Sequence, residues 1–264
     1  MKYKLHTNHK KLLADTYTPV GIYLKLRDKF PNSILLESSD YHGGENSFSF
    51  ICCQPIATIK VEKGMIVESF PDDAVKKIPI TKSVSVPAAI KSFAENFETE
   101  KSKFRFITNG LFGYTSYDAV RFFEDVEINS AKKEEKEIAD LIYSVYRYVI
   151  AFDHFKDELF LFEHSMDSVS TLANIESIIN QRGFAQHKFT LNGNEISNLS
   201  DAEYISMVRK GKEECKRGNL FQIVLSREFL QSFRGDEFNL YRALRSVNPS
   251  PYLFYFDYGN FKIF

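Results

Sequence analysis

Histidines and cysteines are the side chains from which metal binding, redox chemistry or nucleophilic catalysis is most easily recognised. None of the six histidines stands at metal-ligand spacing from Asp, Glu or Cys, and we expect each to lie on the surface or in a turn. Two of the three cysteines are adjacent, which suits neither a C-x-x-C redox pair nor a zinc knuckle, so we expect reduced, buried thiols. The residues concerned are His6, His9, His42, His154, His164, His187, Cys52, Cys53 and Cys215.

Motifs of the common nucleotide-binding and hydrolytic enzymes are missing from the sequence. It contains no Walker loop, no G-x-G-x-x-G, no G-x-S-x-G and no H-E-x-x-H. No cysteine lies in a G-x-C-x-G elbow, so the sequence offers no glutaminase nucleophile. Gly43-Gly44 after His42 has the composition of a phosphate nest, but no helix pattern follows it, and we interpret it as a turn.

Length and composition are those of a folded protein with balanced charge. The 264 residues are 44% hydrophobic and 26% charged, which suits one large domain or two ordinary ones. Because 34 Lys and Arg are balanced by 35 Asp and Glu, we expect no nucleic-acid partner. The N-terminus lacks an apolar core of signal-peptide length, and no apolar run reaches the ~18 residues of a membrane span. We therefore expect a cytoplasmic protein without membrane contact.

Hydrophobic periodicity and turn residues predict an α+β fold, with mainly antiparallel sheets and helices packed on them. Apolar runs on either side of Lys63-Gly64, and on either side of residues 153–157, predict two hairpins. Gly110 and Gly113 in an aromatic segment indicate a bulge or a close backbone approach. Helices are predicted from Thr18-Pro19, at 85–97, at 169–179, from a capping box at Ser200 and Glu203 to Gly218, and at 238–246; further strands are predicted at 33–37, 220–229 and 252–257.

Two stretches bear on domain organisation. Residues 184–199 contain Asn192-Gly193-Asn194 and little apolar periodicity, which predicts a surface connection between two regions. The last residues, Phe261 to Phe264, read as the opening of a return strand, whereas termini usually end in polar residues. We therefore expect a sequence cut from a longer protein, with regions 1–190 and 198–264 and a fold that is incomplete at the C-terminus.

Three sequence blocks occur in a recognisable order along the chain. The first is Ile34-Leu35-Leu36-Glu37-Ser38, followed by Asn46 to Ile51 and Pro55; the second is Gly110 to Asp118 with Arg121 and Glu124; the third runs from Gly218 to Arg227, through Tyr241 to Arg245, to Asn248 to Tyr255. Together they resemble anthranilate synthase component I over nearly the whole chain. The sequence departs from that family at Leu253, where methionine is common, and at Cys52, where glycine is common.

The resemblance implies a binding site for tryptophan, the feedback inhibitor of that family. The first and third blocks form the site, which is carried over here to Glu37, Ser38, Asn248, Pro249, Ser250, Pro251, Tyr252 and Leu253. Glu37 suits the ammonium group of a free amino acid, and Ser38 can form a further hydrogen bond. The prolines have fixed φ angles and, with Tyr252 and Leu253, suit a rigid wall. Without the resemblance, Glu37-Ser38 would be an ordinary strand end and the proline run an ordinary helix stop.

The resemblance also implies a lyase of tryptophan biosynthesis that converts chorismate and ammonia to anthranilate and pyruvate, with Mg²⁺ as cofactor of the full-length enzyme. A separate glutamine amidotransferase subunit would supply the ammonia. Regions 1–190 and 198–264 correspond to the N-terminal region and to the beginning of the chorismate-binding region. Most chorismate and magnesium residues of the family lie beyond the position of Phe264, so we expect no metal ligand and no activity from these residues alone.

Gln222 is the one catalytic candidate that the resemblance supplies. It lies where relatives that add water to chorismate have a lysine base, and a neutral amide cannot deprotonate water, which favours the ammonia-using branch. Without the resemblance, Gln222 would be a polar residue on the outer face of a strand.

Two alternative functions remain open from the sequence. The first is aminodeoxychorismate synthase component I of the folate pathway, which shares the third block, although Glu37 and the Gly113-Tyr114-Thr115-Ser116-Tyr117-Asp118 run favour anthranilate synthase. The second is a stand-alone amino-acid-binding regulatory module. Tryptophan binding would distinguish anthranilate synthase from the aminodeoxychorismate enzyme. The coding sequence downstream of Phe264 would distinguish part of an enzyme from a stand-alone module.

Overall fold

The computed structural model describes residues 2–38, 47–128 and 138–264. By its contacts the chain forms two units: the first comprises residues up to Ala185 together with Pro249–Phe264, and the second is Gln186–Asn248. The turn predicted at Gly43-Gly44 lies outside the described residues. The regions 1–190 and 198–264 stay a prediction, because the two units are defined by contacts and not by family boundaries.

The secondary-structure elements alternate irregularly along the chain. The strands are β1 (Tyr3–Leu13), β2 (Ile34–Ser38), β3 (Phe48–Glu62), β4 (Met65–Ser69), β5 (Val75–Pro79), β6 (Phe97–Thr99), β7 (Phe112–Thr115), β8 (Leu141–Asp153), β9 (Glu158–Ser165), β10 (Phe189–Ser197), β11 (Phe229–Gly235), β12 (Tyr252–Asp257) and β13 (Lys262–Ile263). The helices are α1 (Pro19–Leu26), α2 (Val86–Ala94), α3 (Leu172–Ile179), α4 (Asp201–Lys216) and α5 (Phe238–Val247), and a 3₁₀ helix covers Tyr117–Phe122.

In the part of the first unit that the structure describes, 11 strands form one sheet. Its main path is β13-β12-β2-β3-β8-β9-β1-β6, while β4 pairs with β3 and β5, and β7 pairs with β8. Within the described residues, β1 and β6 are its parallel pair, and the other pairs are antiparallel. Helix α1 packs on β2 and β3, and α3 packs on β1 and β9. The predicted α+β fold with a mainly antiparallel sheet is therefore confirmed.

A bulge interrupts the long strand pair β3–β8, and β3 has a different second neighbour on each side of it. The register shifts between Pro55 and Ala57, next to Gln54, whose φ is 58°. Proline has no N–H for the ladder, so a bulge is the position at which a central strand tolerates it. Before the bulge β3 pairs with β2, and after it β3 pairs with β4. The bulge thus separates the end of the sheet that holds β2 and β12 from the end that holds β4 and β5.

The locally encoded features are confirmed. Lys63 and Gly64 both have positive φ, 50° and 72°, as a tight hairpin turn requires. Thr18 caps α1 by accepting a hydrogen bond from the Gly21 N–H at 3.0 Å, and Ser200 with Glu203 forms the predicted capping box. Among the helices of the described segments, none has the length and apolar character needed to cross a membrane.

Gly113 confirms the predicted close approach of two backbones. A Cβ atom at this position of β7 would lie 1.8 Å from the carbonyl oxygen of Ile142 on the paired strand β8. Only glycine avoids this clash, which explains its place in an otherwise aromatic strand.

The core of the first unit is rich in aromatic rings. Phe160 and Phe162 on β9 pack against Phe104 and Phe106, which lie in the segment before β7, with ring centroids 5.1 to 6.0 Å apart. Cys52 and Cys53 on β3 are free and fully buried, as predicted, and burial raises the pKa of both thiols. Cys215 is also free but only half-buried.

The second unit has far less buried apolar surface. It consists of the antiparallel pair β10–β11 and the helices α4 and α5. Phe238 and Tyr241 on α5 are its buried large side chains in the described structure. Its exposed large apolar side chains are Leu191, Ile196, Ile205, Leu220, Phe221, Ile223, Val224, Phe229, Leu230, Phe233, Leu240, Leu244 and Val247.

Two sequence predictions in the second unit are wrong. The strand predicted at 220–229 is absent up to residue 228, and β11 begins only at Phe229. Conversely, the loop predicted at 184–199 contains β10. A strand forms where a neighbour supplies hydrogen bonds: polar β10 pairs with β11, whereas no described strand pairs with residues 220–228. Strand β1 is also polar and was not predicted, and it forms because the buried strand β9 supplies its hydrogen-bond partners.

Candidate functional site

The structure brings the first and third sequence blocks together in adjacent strands. In the antiparallel pair β2–β12, Glu37 lies opposite Leu253 and Ser38 lies opposite Tyr252. These residues come from opposite ends of the chain, and backbone hydrogen bonds of the sheet fix their register. Four of the predicted site residues therefore lie side by side at one end of the sheet.

The four residues are divided between the two faces of that sheet. Side chains alternate along a strand, and directly opposite residues point to the same face. Glu37 and Leu253 therefore share one face, whereas Ser38 and Tyr252 share the other. Glu37 is only 5% exposed, while Tyr252 is 81% exposed. A small ligand at this end of the sheet would contact the side chains of one pair and the backbone between them.

The proline run lies between α5 and β12. Asn248 is the C-terminal cap of α5, where its N–H donates to the carbonyl oxygen of Leu244 at 2.8 Å. Pairing with β2 begins at Tyr252, directly after Pro251, because proline lacks the N–H that would extend the ladder. Pro249, Ser250 and Pro251 therefore form the entry into β12, and their role as binding residues stays a prediction.

Ser49 and His154 also lie at this end of the sheet and were not predicted as site residues. The β2–β3 ladder ends at the pair Leu36–Phe50, two residues earlier on β2 than the β2–β12 ladder. The N–H of Ser38 donates to Oγ of Ser49 at 3.2 Å, and Oγ of Ser49 lies 2.7 Å from Nε2 of His154. A hydrogen-bonded group thus joins β2, β3 and the turn after β8.

The sequence alone predicted only part of the hydrogen-bonded group formed by Ser38, Ser49 and His154. His154 was correctly predicted to lie in a turn, the one that joins β8 to β9. Its contact with Ser49 depends on the pairing of Phe48 with Asp153, which connects two strands far apart in the chain. Spacing along the chain does not contain that register, so the histidine had no visible partner.

Gln222 lies in the second unit and has a different environment from the one predicted. It is exposed in the segment 220–228, which forms no strand, so its placement on the outer face of a strand is wrong. Its neighbour Phe221 is fully exposed. Its assignment to the catalytic position stays a prediction.

Elsewhere in the first unit, a cavity of about 350 Å³ lies beyond the Pro55 bulge. Tyr146 and Tyr258 line it, together with the hydrogen-bonded pair Thr58–Ser144, whose oxygens are 2.8 Å apart. The hydroxyl of Tyr258 is buried and has no hydrogen-bond partner in the described structure, and burial raises its pKa. None of the predicted site residues lines this cavity.

No metal centre is evident in the described residues. Across 2–38, 47–128 and 138–264, no group of three or more His, Cys, Asp or Glu side chains is arranged to hold a metal ion. We therefore assign no metal ligand among the described residues.

Comparison with known proteins identifies the relatives of the chain. The model of the family described as chorismate binding enzyme matches residues 33–264. Anthranilate synthase component 1 from Lactococcus lactis is 27% identical over 96% of this chain and 55% of its own length. The protein of the same name from Thermus thermophilus is 29% identical over 97% of this chain and 54% of its own length. The chain therefore spans about half the length of the curated relatives it matches.

A solved structure supports the same architecture. The crystal structure of anthranilate synthase component I from Streptococcus pneumoniae superposes with a TM-score of 0.59, covering 97% of this chain and 56% of that chain. At 21% sequence identity this similarity concerns the fold.

Proposed function

Because the chain belongs to the chorismate binding enzyme family, we propose that it is the N-terminal part of an anthranilate synthase large subunit and carries the tryptophan site for feedback inhibition. The names of the relatives support this proposal. The observation that carries it is the β2–β12 register, in which Glu37 lies opposite Leu253 and Ser38 lies opposite Tyr252.

The whole enzyme would convert chorismate and ammonia to anthranilate, pyruvate and water, as a magnesium-dependent lyase of tryptophan biosynthesis. A glutamine amidotransferase subunit would supply the ammonia. Gln222 fits this branch of the family, because a neutral amide does not activate water as a nucleophile. We expect no anthranilate formation by the 264-residue chain alone.

The proposed effector is a free amino acid that binds at the end of β2 and β12. The Glu37 carboxylate would accept hydrogen bonds from the ligand ammonium group, and Leu253 on the same face would contact its apolar part. Charge-assisted hydrogen bonds of this kind contribute about 1.5–3 kcal/mol, so Glu37 has the largest expected share of the affinity. The exposed ring of Tyr252 lies on the opposite face, next to Ser38.

Titration with L-tryptophan tests the proposal directly. The chain contains no tryptophan, so the indole fluorescence of the ligand can be observed without background from the protein. We expect saturable binding to the unchanged chain and weaker binding to Leu253→Ala, which removes the apolar contact on the face that Leu253 shares with Glu37. Glu37→Gln keeps the size of the side chain but removes its charge, and we expect the dissociation constant to rise about 10- to 100-fold.

Glu68→Gln is the matched control for Glu37→Gln. Glu68 is also a buried glutamate in the same sheet, on β4 beyond the Pro55 bulge, and its carboxylate lies 3.7 Å from Nζ of Lys76. We expect this change to leave tryptophan affinity unaltered. An equal loss in both variants would point to general destabilisation. Absence of binding to the unchanged chain, shown to be folded by circular dichroism, would overturn the proposal and favour the aminodeoxychorismate branch.

A further inference from the structure

The end of β2 is held by side chains on one edge and by backbone on the other. Pairing with β12 continues through Ser38, but pairing with β3 stops at Leu36. On the β3 side, the N–H of Ser38 donates to the side-chain oxygen of Ser49, at 3.2 Å. A side chain therefore supports β2 where the strand ladder no longer does.

Ser49 occupies the position that faces the proposed ligand contact. Continuing the register of the last pair, Leu36–Phe50, by one residue would place Ser49 opposite Glu37, on the same face. Ser49 is 1% exposed, so its hydroxyl must be satisfied by protein groups. The Ser38 N–H and the His154 ring supply those partners.

The imidazole of His154 is held in place from several directions. The backbone N–H of His154 donates to the carbonyl oxygen of Ser47 at 3.1 Å. The Asp153 carboxylate fixes the turn by accepting the N–H groups of Phe155 and Lys156, each at 3.0 Å. The ring of Phe152 packs on the imidazole with centroids 4.8 Å apart. His154 is therefore a rigid anchor for Ser49.

We propose that Ser49 and His154 are positioning residues of the effector site, which hold Glu37 and Ser38 in the arrangement that binds the ammonium end of an α-amino acid. This inference rests on the proposed function. A binding group that is held before the ligand arrives does not lose conformational freedom on binding, so its support increases affinity. Neither Ser49 nor His154 needs to touch the ligand for this effect.

The test compares L-tryptophan titrations of four variants. We expect Ser49→Ala and His154→Ala each to raise the dissociation constant about 5- to 10-fold, because Ser49→Ala removes both hydrogen bonds of the Ser49 hydroxyl and His154→Ala removes the one made by the imidazole. His154→Gln carries an amide nitrogen that can take the place of Nε2, and we expect it to restore most of the affinity. The double change Ser49→Ala/His154→Ala should cost no more than either single change, because the two residues act through one connection.

Ser144→Ala is the matched control. Ser144 is buried in the same sheet and hydrogen-bonded to Thr58 at 2.8 Å, but it lies beyond the Pro55 bulge. We expect it to change tryptophan affinity less than twofold. Urea unfolding of every variant separates lost positioning from lost stability.

The outcomes distinguish the two proposals. If the unchanged chain binds tryptophan and the Ser49→Ala and His154→Ala variants bind equally well, the positioning role is wrong while the effector site stands. If His154→Gln is as weak as His154→Ala and both follow the loss of stability, the role is structural, and the inference is overturned. If the unchanged chain does not bind at all, the proposed function fails, and the inference fails with it.

Discussion

The first unit buries its apolar side chains, whereas the second leaves most of them in contact with solvent. Phe93, Phe162 and Tyr146 are almost completely buried in the first unit, whereas Phe221 in the second is fully exposed and Val224 is 83% exposed. Both units nevertheless contain regular helices and paired strands. Helix caps, turn residues and single strand pairs are therefore sufficient for secondary structure, whereas a buried core requires many elements to pack together.

The causes of pKa shifts also differ between the two units. Burial raises the pKa values of Cys52, Cys53 and Tyr146 in the first unit. In the second unit, Glu203 has a lowered pKa because the backbone and side chain of Ser200 donate hydrogen bonds to it in the capping box of α4. Strong electrostatic consequences of folding are therefore expected from the first unit and only local ones from the second.

The largest expected effect is from a large-to-small change in the aromatic core. Phe162 is 1% exposed and packs against Phe104, with ring centroids 5.1 Å apart. We expect Phe162→Ala to lower the free energy of unfolding by about 3–5 kcal/mol, because it removes buried area and leaves a cavity. The matched change Phe221→Ala should shift it by less than about 0.5 kcal/mol. Urea unfolding followed by circular dichroism measures both, and similar losses would abolish the contrast between the units.

A somewhat smaller effect is expected from the buried ion pair of the first unit. Arg147 donates two hydrogen bonds to Glu163, at 2.9 and 3.1 Å, and Glu163 is fully buried. Although burial by itself raises the pKa of Glu163, hydrogen bonds from Thr171, Arg147 and Ser170 outweigh it and lower the pKa. We expect Arg147→Met to cost about 3 kcal/mol, because it leaves a buried carboxylate without its cation.

The control for this ion pair is Arg217→Met in the second unit. Arg217 and Glu214 are 3.3 Å apart and largely exposed, and exposed pairs contribute at most about 1 kcal/mol. Unfolding in urea at low and high salt would compare the two changes. Equal costs for Arg147→Met and Arg217→Met would contradict the view that burial, and not pairing, sets the size of the effect.

The features that the sequence predicted correctly are those encoded within a few residues. The caps at Thr18 and Ser200 and the turn at Lys63-Gly64 depend on hydrogen bonds and φ angles of neighbouring residues. The wrong prediction at 220–229 followed from the same reasoning, because β-branched and aromatic residues favour a strand but cannot supply its partner. A pattern along one segment therefore says where a strand can form, and its neighbours decide whether it does.

In the candidate site, too, the sequence identified some residues but not the contacts that depend on strand register. The resemblance identified Glu37 and Leu253, but no local pattern revealed that they are opposite each other in the sheet. Ser49 and His154 escaped prediction because their contact depends on the register of β3 with β8. Long-range pairing is thus the information that the sequence pattern lacked.

The smallest effect is a change of pH dependence that depends on one histidine of the first unit. His164 is fully buried within β9, so its predicted position on the surface or in a turn is wrong, and its Nε2–H donates to the carbonyl oxygen of Thr108 at 2.7 Å. Burial lowers the pKa of His164, only partly opposed by the Thr108 hydrogen bond and the charge of Glu163, which raise it. The unfolded chain therefore binds a proton more readily than the folded one. Stability from neutral His164 is complete above the unfolded pKa of about 6.5 and is lost as the pH falls through the folded pKa.

We therefore expect His164→Gln to flatten the decrease in unfolding free energy between about pH 7 and pH 5, since glutamine does not titrate but can still donate to Thr108. His187→Gln is the control, because His187 is exposed in the second unit. Urea unfolding at a series of pH values would compare the slopes of both variants with that of the unchanged chain. If His164→Gln leaves the slope of unfolding free energy against pH unaltered, other groups cause the acid sensitivity. If His187→Gln reduces that slope, the stability of the second unit depends on pH as well, contrary to the contrast between the units.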